Sequence, residues 1–154
     1  TIRDAERVAP SFDDAVTSHM NRGANGIDGV VSSAIGAAIE HGGGHAWALL
    51  GDLTFLHDIN GLLIPTGSAT PDLTFVVIDS NGGRIFKSLE QGADVYSDVF
   101  DVVYGTPHNR DIVAIATAYG AHGETVAGPD ALKDALDAAR IRGGINVIVV
   151  NDRG

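Results

Sequence analysis

The chain predicts an α/β fold, a three-layer parallel sheet with helices on both faces. Three observations predict it. Residues 46–50, 73–78 and 145–150 are short, predominantly apolar runs, the pattern of strands buried on both faces. Residues 53–63, 109–119 and 129–140 have helical character and fall between or beside those runs. Strands that alternate with helices imply right-handed βαβ crossovers and a parallel sheet covered on both sides. At 154 residues the chain is one domain's worth of sequence, long enough for a real core.

The elements follow in order. Residues 1–20 are mixed and include Pro10; residues 21–29 (Asn-Arg-Gly-Ala-Asn-Gly-Ile-Asp-Gly) form a polar, glycine-rich loop. That loop opens into 30–40, a small-faced run suited to a closely packed helix, which His41-Gly42-Gly43-Gly44-His45 breaks. Residues 46–50 read as a buried strand, and 53–63 as a helix starting just after Asp52. A loop between Pro65 and Pro71 leads to 73–78, the clearest strand, β-branched and apolar throughout. Residues 82–91 predict a short helix and 92–107 an irregular stretch. The segment 109–119 predicts an amphipathic helix with Ile112, Ile115, Ala116 and Tyr119 on one side. Residues 122–127 are a short strand. Residues 129–140 are a helix with Pro129 in its first turn and Asp130 favouring its dipole. Residues 145–150 close the sheet. There is no internal repeat or low-complexity segment.

Composition narrows the function. The net charge is −10, the wrong sign for a nucleic-acid binder. No apolar run approaches the ~18 residues of a membrane span, and no charged-then-apolar leader is visible. The absence of cysteine removes disulfide, thiolate and zinc-thiolate chemistry and fits a reducing, cytoplasmic setting. Thr1 in place of an initiator methionine is the expectation for a processed product or an excised domain. Of ten cationic residues only Lys87 and Lys133 are lysine. Arginine is favoured where a planar fork meets carboxylate or phosphate.

Two loops carry the chemistry. Gly51-Asp52-Leu53-Thr54 follows the first strand, and Asp79-Ser80-Asn81-Gly82-Gly83 follows the second. Ligands of open α/β sheets bind outside the carboxyl ends of strands. A carboxylate and a second oxygen ligand brought together there can hold Mg²⁺, which takes one or two carboxylates plus the oxygens of a bound phosphate. A helix N-terminus behind Asp52 would favour a diphosphate; the plainer reading makes Asp52 only that helix's N-cap. The six histidines lack ligand spacing and read as surface or capping residues, since glycines 42–44 keep His41 and His45 off a shared helical face. Neither a Gly-x-Ser-x-Gly elbow nor a complete phosphate-binding P-loop is present.

These residues resemble a family. Asn21-Arg22-Gly23-Ala24-Asn25-Gly26-Ile27-Asp28-Gly29, then Gly51-Asp52-Leu53-Thr54-Phe55-Leu56-His57-Asp58, then Asn81-Gly82-Gly83-Arg84-Ile85-Phe86 are similar to the C-terminal domain of thiamine diphosphate enzymes. Within that group they resemble the 2-succinyl-5-enolpyruvyl-6-hydroxy-3-cyclohexene-1-carboxylate synthases of menaquinone biosynthesis. The first and third segments are the more specific to the synthases. The resemblance runs from Arg3 to the strand ending near Val150. It implies the thiamine diphosphate-binding fold, with residues 1–154 a single diphosphate-binding domain and a fragment of a three-domain enzyme.

The resemblance also implies roles. Mg²⁺ or Mn²⁺ is held by the Asp52 carboxylate, a side chain at Ser80 and the main-chain oxygen of Gly82. Ser80 departs from the family's usual Asn or Asp; either its hydroxyl ligates, or Asn81 or water takes the place. Gly51, Leu53, Thr54, Asn81 and Ile85 meet the cofactor. Ile27 is the apolar wedge that keeps it bent, with Asn25 and Gly26 near its aminopyrimidine. Arg3 and Arg22 receive the carboxylates of 2-oxoglutarate and isochorismate, and Ile85, Phe86 and Leu89 form the apolar wall. The catalytic acid is absent: the family uses a glutamate from the N-terminal domain of a partner subunit, and Glu6, Glu40, Glu90 and Glu124 do not match its position. The enzyme would be a homo-oligomer, dimer or tetramer, and this chain alone inactive. Another thiamine diphosphate carboligase or decarboxylase, or a non-catalytic assembly module, are the alternatives.

Overall fold

Residues 46–51, 73–79, 122–126 and 145–151 pair into one sheet in a computed structural model that describes residues 16–21 and 26–153. We number the strands β1 (Ala46–Gly51), β2 (Leu73–Asp79), β3 (His122–Val126) and β4 (Ile145–Asn151). Every pairing is parallel and the spatial order is β1-β2-β4-β3. Parallel neighbours need crossovers. A helix, α1 (Val30–His41), precedes β1, and the crossovers are made through α2 (Asp52–His57), α3 (Ser97–Phe100), α4 (Ile112–Ala118) and α5 (Pro129–Arg142), with shorter 3₁₀ turns between.

The alternation of side chains along a strand sorts these helices onto two faces. Leu50, Leu73, Phe75, Val77, Val147 and Val149 point to one face. There they bury against Val31 and Ile35 of α1, Phe55 of α2, and Ile112 and Ala116 of α4. Ile148 and Val126 point to the other, where Ala135 and Ala139 of α5 cover them. The α/β architecture with helices on both faces therefore stands as expected.

Four expectations need correction. The run 46–50 is not buried on both sides: β1 is an edge strand, and on the α5 side Trp47 and Leu49 are 48% and 43% exposed because α5 does not reach them. The helix from 53 is shorter than its pattern. It ends at His57 because Asp58 leaves helical geometry (φ −116°, ψ 28°) to accept the Ser32 amide at 2.7 Å and the Ser32 hydroxyl at 3.1 Å. A 3₁₀ turn, Ile59–Leu62, follows. A Cβ on Gly61 would stand 2.7 Å from Ser32 Oγ, so that turn requires glycine. The segment 82–91 is two 3₁₀ turns, Arg84–Ser88 and Glu90–Gly92, rather than one helix. The stretch 92–107 is not irregular: it holds a 3₁₀ turn (Asp94–Tyr96), then α3, then a π-helical turn (Asp101–Gly105).

The amphipathic segment 109–119 narrows to α4, whose N-cap Asp111 accepts the Ala114 amide at 2.9 Å. The readings made on residues 1–15 and 22–25, with Arg3, Arg22 and Asn25 among them, lie outside the described residues.

Phe75 at the centre of β2 is wholly buried and meets Phe55 edge-on, ring centroids 5.8 Å apart. Truncating Phe75 to alanine should cost about 3–5 kcal/mol of unfolding free energy, the usual loss for an aromatic removed from a packed core. Urea titration of the variant against the parent checks this.

Candidate functional site

Gly51 of β1 pairs with Ile78 of β2. The next residue on each chain, Asp52 and Asp79, therefore comes level at the carboxyl end of the sheet. Both are buried, so both need partners. Asp52 is not the N-cap of α2. Gly51 holds that place with no side-chain cap, and Asp52 is the first helical residue.

The Asp52 carboxylate is held by the loop after β2. Its Oδ1 accepts the Leu53 amide at 2.6 Å; its Oδ2 accepts the Gly82 amide at 2.8 Å and the Ser80 amide at 3.1 Å. The same loop presents oxygens: the Ser80 hydroxyl donates to the Gly82 carbonyl at 3.1 Å. Gly82 (φ 127°) permits this turn. A Cβ there would stand 2.1 Å from the Gly105 carbonyl, and one on Gly83 would stand 2.2 Å from the Tyr104 carbonyl. The loop thus lies flat on the end of the π-helical turn, fixed by a 2.7 Å bond from the Gly83 amide to Gly105.

Asn81 points away from this cradle. Its side chain exchanges two hydrogen bonds with Asn109: Nδ2 donates to Asn109 Oδ1 at 2.9 Å, and Oδ1 accepts the Asn109 amide at 2.8 Å. Both residues have positive φ (60° and 49°), which Asn tolerates better than most. With that amide engaged, the oxygens the loop can offer beside Asp52 are the Ser80 hydroxyl and the Gly82 carbonyl, bonded to each other. Carboxylate, hydroxyl and carbonyl make a hard, all-oxygen set, which suits Mg²⁺ or Mn²⁺.

Three residues at the site carried no role in the sequence reading. His108, read as a surface or capping histidine, is half-buried between the two carboxylates. Its Nε2 stands 3.3 Å from Asp52 Oδ2 and 3.6 Å from Asp79 Oδ1. Its Nδ1 accepts the Arg110 amide at 3.0 Å, which assigns the ring proton to Nε2. Asp79 is the second. Its Oδ1 accepts the Asn81 amide at 3.0 Å, and its Oδ2 takes two bonds from Arg153, at 3.0 Å from Nε and 2.7 Å from Nη2. Burial alone would raise the Asp79 carboxyl. The Arg153 hydrogen bond, the Asn81 amide and the charges of Arg153 and His108 together outweigh it and hold the pKa below the usual carboxylate value. Arg153, the third, also donates to the Arg110 carbonyl at 2.9 Å. A sequence signal existed for Asp79 alone. It lies two residues beyond Val77 on the helix-covered side of β2, and an inward-facing acid implies a partner.

The other anticipated residues distribute around this centre. Leu53 and Thr54 occupy the first turn of α2, with Thr54 buried. Ile85 and Leu89 are exposed on and just after the 3₁₀ turn that follows the loop, and Phe86 turns inward onto Tyr104, ring centroids 5.6 Å apart. Gly26 and Ile27 are exposed, and their loop is tied to the far end of α2 by Asp28, 3.5 Å from His57.

Comparison with known proteins agrees with this geometry. The family described as thiamine pyrophosphate enzyme, C-terminal TPP binding domain, matches residues 9–150. A Rhodococcus erythropolis protein named 2-succinyl-5-enolpyruvyl-6-hydroxy-3-cyclohexene-1-carboxylate synthase is 49% identical over 99% of this chain and 28% of its own length. A Saccharopolyspora erythraea protein of the same name is 51% identical over 77% of this chain and 21% of its own. The chain thus spans about a quarter of the curated relatives it matches. Among solved structures, benzoylformate decarboxylase from Polynucleobacter necessarius superposes with a TM-score of 0.67 at 28% identity, over 83% of this chain and 24% of that one.

Gly82→Ala should lower unfolding free energy by about 1–3 kcal/mol, the range for a strained backbone position. Gly36→Ala, in α1 with open space around it, should raise it by roughly 0.5–1 kcal/mol. Thermal melts of the two variants read the contrast.

Proposed function

We propose that this chain, which belongs to the family of thiamine pyrophosphate enzyme C-terminal TPP binding domains, anchors thiamine diphosphate through one divalent cation. It does so within a longer enzyme that decarboxylates 2-oxoglutarate and joins the succinyl unit to isochorismate. One observation carries the anchor: the buried Asp52 carboxylate, gripped by the Ser80 and Gly82 amides, stands beside the Ser80 hydroxyl and the Gly82 carbonyl, which are bonded to each other. Mg²⁺ or Mn²⁺ would take the Asp52 carboxylate, the Ser80 hydroxyl in place of its bond to Gly82, and the Gly82 carbonyl. Leu53 and Thr54, at the N-terminal turn of α2, would face the diphosphate. When bound, the cofactor supplies the electron sink for decarboxylating a 2-oxo acid.

The substrate assignment rests on relatives near 50% identity that bear the synthase name. The decarboxylases among solved structures stand at 28% identity or less, so the synthase reading is preferred to another carboligase or decarboxylase. Arg3 and Arg22 would clamp substrate carboxylates as planar forks, Ile85 and Leu89 would line the apolar side with Phe86 supporting them, and Ile27, Asn25 and Gly26 would hold the bent cofactor. The acid beside the aminopyrimidine would come from another domain of a partner subunit. Glu40 and Glu90 are exposed and Glu124 lies on β3, away from Asp52. Val95, Val99 and Val102 are exposed in and around α3, an apolar surface that the rest of a homo-oligomeric enzyme would cover. No helix among the described residues is long and apolar enough to cross a membrane, and a cytoplasmic enzyme fits the cysteine-free sequence.

Asp52→Ala in the intact enzyme should weaken Mg²⁺-dependent thiamine diphosphate binding by more than about 100-fold, beyond the 10–100-fold typical of a group that only supports a ligand. Calorimetric titration measures it, and unchanged affinity would discard the metal assignment. Turnover with 2-oxoglutarate plus isochorismate, and none with pyruvate, separates the synthase from other carboligases.

A further inference from the structure

Asp52, Asp79 and His108 bring ligand atoms within 4.8 Å of one another. By spacing alone they form a two-carboxylate, one-imidazole centre of the kind that binds a transition metal without help from a cofactor. The hydrogen bonds dismantle that centre. His108 Nδ1 already accepts the Arg110 amide, so Nε2 bears the proton and donates toward the carboxylates; it has no lone pair to give a cation. Both carboxylates are hydrogen-bonded, but by different donors: Asp52 meets neutral backbone amides and the His108 ring N–H, whereas Asp79 Oδ2 is held by two N–H groups of the cationic Arg153 and its Oδ1 by the Asn81 amide.

We propose that Arg153 withholds Asp79 from the cation, so that the site offers one carboxylate instead of two and takes its metal together with the diphosphate. The inference rests on the reading of Asp52 as the metal anchor. Two carboxylates level at the ends of β1 and β2 would be a site of charge −2. The guanidinium reduces it to −1 and fixes the geometry, because its second contact, to the Arg110 carbonyl, sets it in the segment that also orients His108. Hard cations bound by a single carboxylate rely on phosphate oxygens to complete their coordination. Arg153 is therefore a positioning residue that acts through Asp79, and it makes metal affinity contingent on the cofactor.

The test is Mn²⁺ binding to the intact enzyme, followed by electron paramagnetic resonance with and without thiamine diphosphate. In Arg153→Gln, Asp79 keeps the Asn81 amide but loses its cationic partner, which is unfavourable for a buried carboxylate, and a divalent cation relieves it. Mn²⁺ alone should then bind about tenfold or more tighter than to the parent, and the gain from adding cofactor should shrink by the same factor. In Asp79→Asn/Arg153→Gln the metal-alone gain should vanish. In Asp79→Asn the affinity measured with cofactor should change by less than about threefold, against the tenfold or more expected on losing a ligand or its support. A folded Arg153→Gln enzyme that binds Mn²⁺ no tighter than the parent overturns the proposal, as does a gain that survives in the double variant. A tenfold loss in Asp79→Asn also overturns it, and that arm decides if Arg153→Gln fails to fold. Asp52→Ala keeps the two readings apart. If it leaves cofactor-dependent Mn²⁺ binding intact, the anchor itself is wrong. If it abolishes that binding while Arg153→Gln matches the parent, only the role of Arg153 fails.

Discussion

The parallel register of β1 on β2 is what the rest of the site hangs from. Because Gly51 stands opposite Ile78, the carboxylates of Asp52 and Asp79 arrive side by side at one rim of the sheet. A slip of one residue would send each strand's inward side chains to the wrong face, taking Phe75 and Val77 out of the core and Asp79 out of the site together. Core packing and site geometry are thus fixed by a single alignment, and the buried apolar side chains that stabilise the fold also enforce the placement of the charges.

Two like charges at that rim are tolerated because backbone and side-chain donors surround them. Asp52 collects three amides and the His108 N–H; Asp79 collects one amide and the Arg153 fork. Charge-assisted bonds of this kind are the stronger class, and leaving a buried carboxylate without them would be costly. Glycines at 82 and 83 matter for the same reason: they let the loop after β2 approach the π-helical turn closely enough to aim its amides inward. Electrostatics at the rim therefore depends on steric permissiveness a few ångströms away.

Much of this was legible in the sequence, and the parts that were not share a cause. The apolar runs marked β1, β2 and β4 to within a residue at each end, because a strand with at least one covered face keeps a mainly apolar sequence. The Gly51-Asp52 and Ser80–Gly83 loops were legible because glycine and oxygen-bearing side chains directly after such runs mark the strand ends where α/β sheets take their ligands. The early end of α2 was not, since it depends on Asp58 finding Ser32, 26 residues away. The partial exposure of β1 was not, since a strand's neighbours are absent from its own composition. His108 and Arg153 were missed because their importance comes from contacts to Asp52 and Asp79 across 56 and 74 residues of chain. Local pattern reports local geometry; partners that meet only through the tertiary fold leave no spacing to read.

That long reach has a kinetic side. Apart from the amide of Leu53, every hydrogen bond that Asp52 makes among the described residues spans 28 residues or more, and the Asp79–Arg153 pair joins β2 to a residue just past β4. Contacts of high sequence separation close late, after the loop entropy between them has been overcome. The rim can therefore be complete only when β4 has docked between β2 and β3, so a molecule with that strand detached has lost its charge arrangement even if β1 and β2 stay paired. Any ligand that recognises the finished rim binds the fully closed sheet in preference to every partly open form. By mass action it would stabilise the whole domain, strands on the far side of the sheet included.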